Sequence, residues 1–479
     1  MYMLLKDLYP AAANTPLGEV AVAKVTNNSQ SVEPGDVFVR SVADNGHLYA
    51  KAAYDAGAAV IVCDQDLGLD RQLIVEEPRK VYAEMCSAYF GAPCRKIKII
   101  GVTGTNGKTS TCLMIKSLLE SLGYKTGLIG TVQNMVGEQV LPAKNTTPGA
   151  YELHSLFSLM EMSGCEYAVM EVSSHAIDQE RVHGLRFACC VYTNLTQDHL
   201  DYHKTMENYL AVKKRIFSVC DHAVVNVDDS YSDEILSACD CPVTSYAVHT
   251  NESSYVAKNL RKRVDGVDFE MVGSGVIGRV HLKVPGEFSV YNALAAGSCV
   301  MSLGFPFHDV VSAMCNLESP KGRAEVVDVG DHDFTVIIDY AHTPDGLENI
   351  LRALRSTCEG RLVTLFGCGG DRDKGKRPLM GGIAADYSDH VIVTSDNPRT
   401  EDPGEIIKDI LVGMEEKKTP YTVIENRIKA IEYAILNACE GDMILLAGKG
   451  HETYQIVGHQ TIRLDEREVV AKALDKLDR

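Results

Sequence analysis

The stretch that most constrains the fold is residues 97–111, which read IKIIGVTGTNGKTST. Its apolar, β-branched start is typical of a buried strand, and the spacing of Met114, Leu118 and Leu122 predicts a helix directly after it. A glycine-rich turn between a strand and a helix surrounds phosphate oxygens with backbone N–H groups. We therefore predict a nucleotide-phosphate cradle in which Lys108 reaches the β- and γ-phosphates and Thr109 faces Mg²⁺. The predicted cradle residues are Gly104, Thr105, Asn106, Gly107, Lys108, Thr109 and Ser110.

The spacing of this cradle differs from the common P-loop, in which another glycine precedes the last one by five residues. Val102 occupies that position here. The shorter form, GTNGKT, resembles the Mur ligase and folylpolyglutamate synthase superfamily of ATP-dependent amide-forming ligases. A tight turn with a chance lysine is the alternative, and the flanking strand and helix argue against it.

Length and composition limit the classes of protein to which the chain can belong. Its 479 residues predict about three domains, and its net charge of −18 argues against nucleic-acid binding. The 15 cysteines show no CxxC spacing, which is typical of buried thiols in a reducing cytoplasm. There is no signal-peptide pattern and no apolar run of about 20 residues that would span a membrane. We therefore expect a cytoplasmic protein without membrane insertion. We also predict that it is a monomer, although neither length nor composition determines this.

Three further strand-like runs in the middle of the chain end in polar residues, and ligands bind at such strand ends in an open α/β sheet. Glu171 suits Mg²⁺, which prefers hard oxygen ligands, and His199 is a candidate ligand of a second metal. A zinc site at His199 and His203 lacks a third ligand in register, and a serine nucleophile at Ser173 lacks the G-x-S-x-G pattern. We reject the serine nucleophile and prefer Mg²⁺ to zinc. The runs are residues 167–172, 191–195 and 223–227.

The last third of the chain alternates strands and helices, and four predicted strands each lead into a loop rich in glycine and charge. We predict a Rossmann-like domain whose loops face one cleft. Arg372, Arg399 and Glu452 suit a zwitterionic amino acid, because arginine pairs with a carboxylate through two hydrogen bonds. A phosphate donor, a carboxylate and an amine together predict an ATP-dependent amide ligase that works through an acyl phosphate. The loops are residues 339–344, 367–377, 396–399 and 448–452.

Motifs along nearly the whole chain extend the resemblance to the Mur ligase family. They are GTNGKT, NTTP, EVSSH, DHLDYH, DYAHTPD, GCGGDRDKGKRP, DNPR and GKGHE. The resemblance implies an α/β fold of three domains: a small N-terminal α/β domain for the UDP-sugar (1–93), a central P-loop-type ATPase domain with a mainly parallel sheet (94–329), and a C-terminal Rossmann-like domain for the amino acid (330–479). It also implies addition of meso-2,6-diaminopimelate to UDP-N-acetylmuramoyl-L-alanyl-D-glutamate in peptidoglycan synthesis, with ATP as co-substrate and Mg²⁺ as cofactor.

The same resemblance assigns roles residue by residue. Lys213 matches the family's carbamylated lysine, and a buried lysine can lose its proton and capture CO₂; an ordinary exposed lysine is the alternative. Asn292 and Arg323 match nucleotide contacts. The catalytic residues are Lys108, Glu171, Lys213 and His199, and the metal ligands are Thr109, Glu171, His199 and Lys213. The UDP-muramoyl-dipeptide contacts are Asn27, Ser29, Asn145, Thr146, Thr147, Ser173, Gln179 and Arg181. The diaminopimelate contacts are Arg372, Asp396, Asn397, Pro398, Arg399, Gly448 and Glu452.

Two departures and several alternatives remain open. The family usually has Asp-Ser-Arg at residues 28–30, where this chain has Asn-Ser-Gln, and a small residue where this chain has Arg40. Lysine-adding relatives lack the arginine of DNPR. Arg399 can pair with the second carboxylate of diaminopimelate, whereas lysine would leave this arginine unpaired. The alternatives are an L-lysine-adding ligase, a folylpolyglutamate synthase, a P-loop switch or motor ATPase, and a catalytically inactive binding module.

Overall fold

The computed structural model describes residues 2–40, 46–263, 266–318 and 321–477. These residues form three α/β domains in chain order, each built around its own sheet. The predicted fold class is thereby confirmed. No helix in the described ranges has both the length and the apolar character needed to cross a membrane.

The N-terminal domain is a parallel four-stranded sheet, in the order β3-β4-β5-β6, with a small antiparallel pair beside it. Its strands are β1 (Met3–Leu4), β2 (Ala21–Val22), β3 (Val25–Thr26), β4 (Val37–Val39), β5 (Val60–Cys63) and β6 (Gln72–Ile74). Its helices are α1 (Leu5–Leu8), α2 (Gly46–Asp55) and α3 (Pro78–Tyr89).

The central domain has eleven strands in the order β10-β9-β8-β11-β7-β12-β13-β14-β15-β16-β17, parallel from β8 to β15 and antiparallel at both ends. Its strands are β7 (Lys98–Thr103), β8 (Thr126–Ile129), β9 (Asn134–Val136), β10 (Gln139–Leu141), β11 (Tyr167–Glu171), β12 (Cys189–Tyr192), β13 (Ala223–Asn226), β14 (Val243–Ala247), β15 (Tyr255–Lys262), β16 (Val267–Gly273) and β17 (Val276–Leu282). Its helices are α4 (Lys108–Ser121), α5 (Ala150–Met162), α6 (Ser174–Asp178), α7 (Leu200–His203), α8 (Met206–Lys214), α9 (Ser232–Leu236), α10 (Glu287–Ser302) and α11 (Phe307–Met314).

Strand β7 lies in the middle of this sheet because both of its faces are apolar. Ile100 and Val102 pack into the core that α4 and α10 cover. Ile99, on the strand, and Ile97, just before it, pack into the core on the other side. Side chains alternate between the two faces of a strand, so a continuous β-branched run is buried on both. The strand therefore delivers the cradle to the centre of the sheet edge.

The C-terminal domain has a six-stranded sheet in the order β18-β19-β23-β20-β21-β22, parallel except for β18, and a separate hairpin of β24 and β25. Its strands are β18 (Glu325–Val327), β19 (Thr335–Asp339), β20 (Leu362–Phe366), β21 (His390–Val393), β22 (Tyr421–Val423), β23 (Met443–Ala447), β24 (Tyr454–Val457) and β25 (Gln460–Arg463). Its helices are α12 (Pro344–Arg355), α13 (Lys376–Tyr387), α14 (Pro403–Val412), α15 (Arg427–Leu436) and α16 (Glu466–Leu477).

Strand β18 precedes the predicted boundary between the central and C-terminal domains but belongs to the C-terminal sheet. The predicted division after residue 329 assigns it to the central domain, whereas it pairs with β19 in the C-terminal sheet. The strand thus enters the C-terminal sheet antiparallel, before the first parallel strand.

Candidate active site

A cavity of about 340 Å³ separates the cradle of the central domain from the charged loops of the C-terminal domain. Because both sheets are parallel at this point, their polar strand ends converge on it. Predicted site residues from both domains line the cavity. They are Thr105, Asn106, Gly107, Lys108, Thr109, Thr146, Glu171, Ser173, His199, Lys213, Arg323, Arg372, Asp396, Asn397, Arg399, Gly448 and Glu452.

The cradle has the backbone geometry of an anion site. Gly107 precedes α4 with φ 84°, and no side chain among the described residues caps that helix, so its first N–H groups face the loop. A Cβ at Gly107 would lie 2.5 Å from Asn292 Oδ1, which explains the need for glycine. Lys108 Nζ donates to the carbonyl oxygens of Gly104 (2.8 Å) and Thr105 (2.7 Å), and burial lowers the pKa of its amine.

A second cavity of about 300 Å³ adjoins the first, since Asn106, Gly107 and Arg323 line both. Asn292, which the resemblance assigns to the nucleotide base, lies in its wall together with Phe288, which the sequence did not predict. The two cavities therefore provide space for a nucleoside beside space for its phosphates and the other reactants.

Glu171 contacts the cradle through Thr109. Its side chain is only 1% exposed; Oε1 accepts hydrogen bonds from Thr109 Oγ1 (3.0 Å) and the Thr131 backbone N–H (2.7 Å), and Oε2 accepts one from Thr131 Oγ1 (3.1 Å). A hydroxyl and a carboxylate at the phosphate cradle are the hard oxygen donors that Mg²⁺ prefers. Among the residues that the structure describes, no group of three or more His, Cys, Asp or Glu side chains could hold a metal ion. The site therefore fits Mg²⁺ that takes its remaining ligands from phosphate and water.

Lys213 is buried beneath the cradle, on α8, with 1% of its surface exposed. Its Nζ donates to the Gly104 carbonyl (2.9 Å) and lies 4.7 Å from the centre of the Tyr209 ring. Burial, assisted by the positive charge of Lys108, holds the pKa of the Lys213 amine well below its usual value. A lowered pKa favours the neutral amine, which is the form that reacts with CO₂. The alternative of an exposed lysine is wrong.

Comparison with known proteins supports a family assignment along the whole chain. The profile of the Mur ligase middle domain matches residues 102–300, and that of the Mur ligase glutamate ligase domain matches residues 322–450. The chain is 45% identical to a UDP-N-acetylmuramoyl-L-alanyl-D-glutamate–2,6-diaminopimelate ligase of Clostridium botulinum, over 95% of this chain and 96% of that one. This chain belongs to the Mur ligase family.

Two other known proteins are also similar to this Mur ligase along nearly the whole chain. A ligase of the same name from Caldanaerobacter subterraneus subsp. tengcongensis is 44% identical, over 98% of this chain and 99% of the other. A solved structure of a 2,6-diaminopimelate ligase with that name superposes with a TM-score of 0.73 at 30% identity, covering 100% of both chains. As a member of this family, the chain is an ATP-dependent ligase that forms amide bonds.

The loops of the Mur ligase that are predicted to bind the amino acid (residues 396–399 and 448–452) form a charged network around a lysine that the sequence did not predict. Lys449 is fully buried, and its Nζ lies 3.2 Å from Asp396 Oδ1, 3.1 Å from Asn397 Oδ1 and 3.1 Å from Glu452 Oε2. Burial favours the neutral acid of Asp396, but Lys449 and other cations outweigh it, so the pKa of this carboxyl is lowered. Arg399 Nη1 donates to the Gly370 carbonyl at 2.8 Å. Arg399, Asp396 and Glu452 therefore line one end of the cleft, and Lys449 is buried behind the two carboxylates.

Glycine is required where these loops approach each other. Gly448 adopts φ 109°, and a Cβ there would lie 2.9 Å from Asp396 Oδ2. Pro398, the remaining predicted residue of DNPR, is buried between Asn397 and Arg399. The close approach keeps both loops at one edge of the cleft.

His199 lines the cleft, with its Nε2 3.4 Å from Asp198 Oδ2. Burial lowers the pKa of His199 to about 4, so its imidazole is neutral near pH 7. A neutral ring nitrogen can bind a metal, although Mg²⁺ prefers oxygen, and the role of His199 stays a prediction. The zinc alternative loses its second ligand, because His203 Nε2 is hydrogen-bonded to Ser174 Oγ at 2.8 Å and the ring stacks on Tyr209.

The predicted muramoyl-dipeptide contacts separate into two groups. Thr146 and Ser173 line the cleft, whereas Thr147, Gln179 and Arg181 bind one another. Arg181 donates to the Thr147 carbonyl (2.8 Å) and to Gln179 Oε1 (2.6 Å from Nη2), and the Thr147 hydroxyl accepts from the Ser173 N–H (3.0 Å). Thr147, Gln179 and Arg181 therefore hold in place the segments that carry Thr146 and Ser173.

The remaining predicted contacts of this substrate lie on exposed or half-buried segments. Asn145 is exposed just before Thr146, and Asn27 is exposed in the N-terminal domain. Ser29 begins the 3-10 turn Ser29–Ser31, in which Asn28 Oδ1 accepts from the Gln30 N–H at 3.0 Å. The unusual Asn-Ser-Gln sequence thus forms a capped turn, and its contact with a UDP-sugar stays a prediction.

Proposed function

We propose that this Mur ligase joins meso-2,6-diaminopimelate to UDP-N-acetylmuramoyl-L-alanyl-D-glutamate, with conversion of ATP to ADP and phosphate, in peptidoglycan precursor synthesis. One observation carries the proposal: the Lys108 cradle and the Arg399 loop face the same cavity. The names of the 45% and 44% identical relatives agree with it. The diaminopimelate specificity rests on Arg399, since its guanidinium suits a second carboxylate.

In the proposed reaction, a free carboxylate oxygen of the dipeptide attacks the γ-phosphorus of ATP. The bond from that phosphorus to the β–γ bridging oxygen breaks, and ADP leaves. The amine of diaminopimelate then attacks the acyl carbon, and the tetrahedral intermediate expels phosphate and loses a proton. Lys108 and the backbone N–H groups before α4 neutralise and orient the phosphates throughout. The cleft accelerates both steps chiefly by holding three reactants in line.

Thr109 and Glu171 would hold Mg²⁺, which neutralises phosphate charge when bound. The neutral Lys213 amine would add to CO₂ and release a proton, which gives a carbamate whose oxygens suit the same kind of ion. His199 is the further ligand that we propose for a second metal.

The deciding experiment is a phosphate-release assay with the UDP-sugar dipeptide, ATP and one amino acid at a time. We expect release only when dipeptide and diaminopimelate are both present. Preferential use of lysine would favour the lysine-adding alternative. Release without any amine would favour a switch or motor ATPase and contradict the proposal.

A further inference from the structure

Strands β24 and β25 form a hairpin that contacts the DNPR loop (residues 396–399) through hydrogen bonds that the sequence motifs do not predict. The Arg399 backbone N–H donates to the Ile456 carbonyl at 3.1 Å, and the Gly458 N–H donates to the Arg399 carbonyl at 2.7 Å. Arg399 also forms a parallel β-bridge with Val457. Both backbone groups of Arg399 are therefore fixed by the hairpin.

These bonds hold Arg399 in a conformation that an arginine rarely adopts by itself. Its φ is +52°, in the left-handed region, where a Cβ is crowded and glycine is usual. Such a residue persists only when its surroundings determine its backbone, and such residues are concentrated at ligand sites. Without the hairpin, the loop would relax, and the guanidinium would leave its place in the cleft.

The hairpin also fixes the two residues that open the DNPR loop. Gln455 Nε2 donates to the Asp396 carbonyl at 2.5 Å, and the Ile456 N–H donates to Asn397 Oδ1 at 2.9 Å. Asn397 in turn donates from Nδ2 to Glu452 Oε2 at 2.9 Å. The hairpin thus determines the orientation of the Asn397 amide and, through it, of the Glu452 carboxylate.

Lys449 adds to this support. It is fully buried and lies within 3.2 Å of oxygen atoms of Asp396, Asn397 and Glu452. A buried ammonium that binds three polar groups fixes their relative positions, because displacement of any one costs a buried hydrogen bond to a charged group. Lys449 does not line the cavity that contains Arg399, so its effect on a ligand is indirect.

We propose that the hairpin Tyr454–Arg463 and Lys449 are a positioning scaffold that sets the enzyme's preference between amino acids with one and with two carboxylates. The scaffold acts by aiming Arg399 at the distal carboxylate. Gln455 is the component of the scaffold best suited to a test, because its side-chain amide is hydrogen-bonded directly to the DNPR loop. This inference rests on the proposed diaminopimelate specificity.

The test compares Gln455→Ala and Gln455→Glu with Gln460→Ala, an exposed glutamine on the outer strand of the same hairpin. The amide of Gln455 is a donor, and a glutamate carboxylate would face the Asp396 carbonyl without a proton to share. Steady-state phosphate release gives kcat and KM for diaminopimelate, lysine and ATP, and a thermal melt reports folding. Gln455→Ala carries the test by itself if Gln455→Glu does not fold.

We expect Gln455→Ala to raise the KM for diaminopimelate about fivefold and Gln455→Glu to raise it more, as for loss of one buried hydrogen bond. The kcat and KM for lysine and the KM for ATP should equal those of the parent enzyme. The preference for diaminopimelate over lysine should therefore fall. Gln460→Ala should match the parent in every constant. A parallel rise of the KM values for ATP and diaminopimelate, or equal behaviour of the Gln455 and Gln460 variants, would overturn the scaffold. A parent enzyme without diaminopimelate-dependent release would instead refute the proposed function.

Discussion

At the scale of single residues, Arg399 decides the proposed choice of amino acid. Arg399→Ala removes a charged partner for the distal carboxylate, and a hydrogen bond to a charged group contributes about 1.5–3 kcal/mol. We therefore expect the KM for diaminopimelate to rise about 10- to 100-fold, with the KM for ATP unchanged, in steady-state phosphate release. Arg279→Ala, at an arginine whose side chain is 89% exposed, is the matched control. Equal losses for ATP and diaminopimelate would remove Arg399 from the amino-acid site.

Lys213 supports a second prediction at this scale. Its buried amine is poised to be neutral, and addition of CO₂ to such an amine is reversible. In buffer depleted of CO₂ and bicarbonate, kcat should fall with time and should return when bicarbonate is added. Lys213→Ala should be inactive and should not respond to bicarbonate. A parent enzyme whose rate ignores bicarbonate would contradict the carbamate.

At the scale of secondary-structure elements, strands with buried apolar side chains could be predicted from the sequence, whereas polar strands and polar strand ends could not. The strand predicted at residues 167–172 covers β11 (Tyr167–Glu171), because a strand buried on both faces is almost continuously apolar. The run predicted at 191–195 is Cys189–Tyr192 instead. Its polar end leaves the sheet: Thr193 Oγ1 donates to the Asn106 carbonyl, and Asn194 Oδ1 accepts from the Asn106 N–H. A tertiary contact with the cradle thus decides where that strand ends.

The hairpin and Lys449 were beyond sequence reasoning for physical reasons. All four residues of β25 are exposed, so the strand carries no apolar pattern that would reveal it. Lys449 binds Asp396 and Asn397, which lie more than fifty residues earlier in the chain. The motifs predicted which loops meet, whereas the support of those loops depends on the folded arrangement.

The cradle gives a prediction that concerns an element as a whole. Gly107→Ala would push Asn292 away, because a Cβ there lies 2.5 Å from its Oδ1, and it would strain a backbone at φ 84°. We expect the KM for ATP to rise about tenfold or more, the equivalent of 1.4 kcal/mol. Gly123→Ala has a similar φ of 91° but no atom within 4 Å of the added Cβ. It should lower stability by about 1 kcal/mol and leave the KM for ATP unchanged. If Gly107→Ala and Gly123→Ala raised the KM for ATP equally, backbone strain alone would explain the rise, without the contact with Asn292.

At the scale of the whole molecule, contacts between the central domain and the C-terminal segments converge on the cradle. Asn106 Nδ2 donates to Asp345 Oδ2 at 2.6 Å, and Arg323 Nη2 donates to Thr109 Oγ1 at 3.1 Å. The predicted phosphate cradle therefore also contacts Asp345 of the C-terminal domain. Nucleotide binding and approach of the amino-acid loops should consequently be coupled, which agrees with domain closure as a step in turnover.

The stability of the whole chain should depend on pH through histidines that are buried as neutral rings. His154 is 1% exposed, and neither ring nitrogen has a hydrogen-bond partner among the described residues. Burial lowers its pKa from 6.5 to about 4. Above pH 6.5 neither state binds the proton, whereas below it the unfolded chain takes up a proton that the folded chain refuses until about pH 4. The free energy of unfolding should thus fall across this window, by about 3 kcal/mol for His154 alone.

His154→Leu removes this proton uptake and should flatten the pH dependence. The shift in the urea midpoint of unfolding between pH 7.5 and pH 5 should be smaller for His154→Leu than for the parent enzyme, as measured by circular dichroism. His308→Leu, on the exposed face of α11, should shift as the parent does. His342 and His451, whose pKa values burial also lowers to about 4, leave part of the slope in every variant. An unchanged slope in His154→Leu would mean that the loss of stability in acid arises at other buried histidines instead, and the same titration of His451→Leu would test one of them.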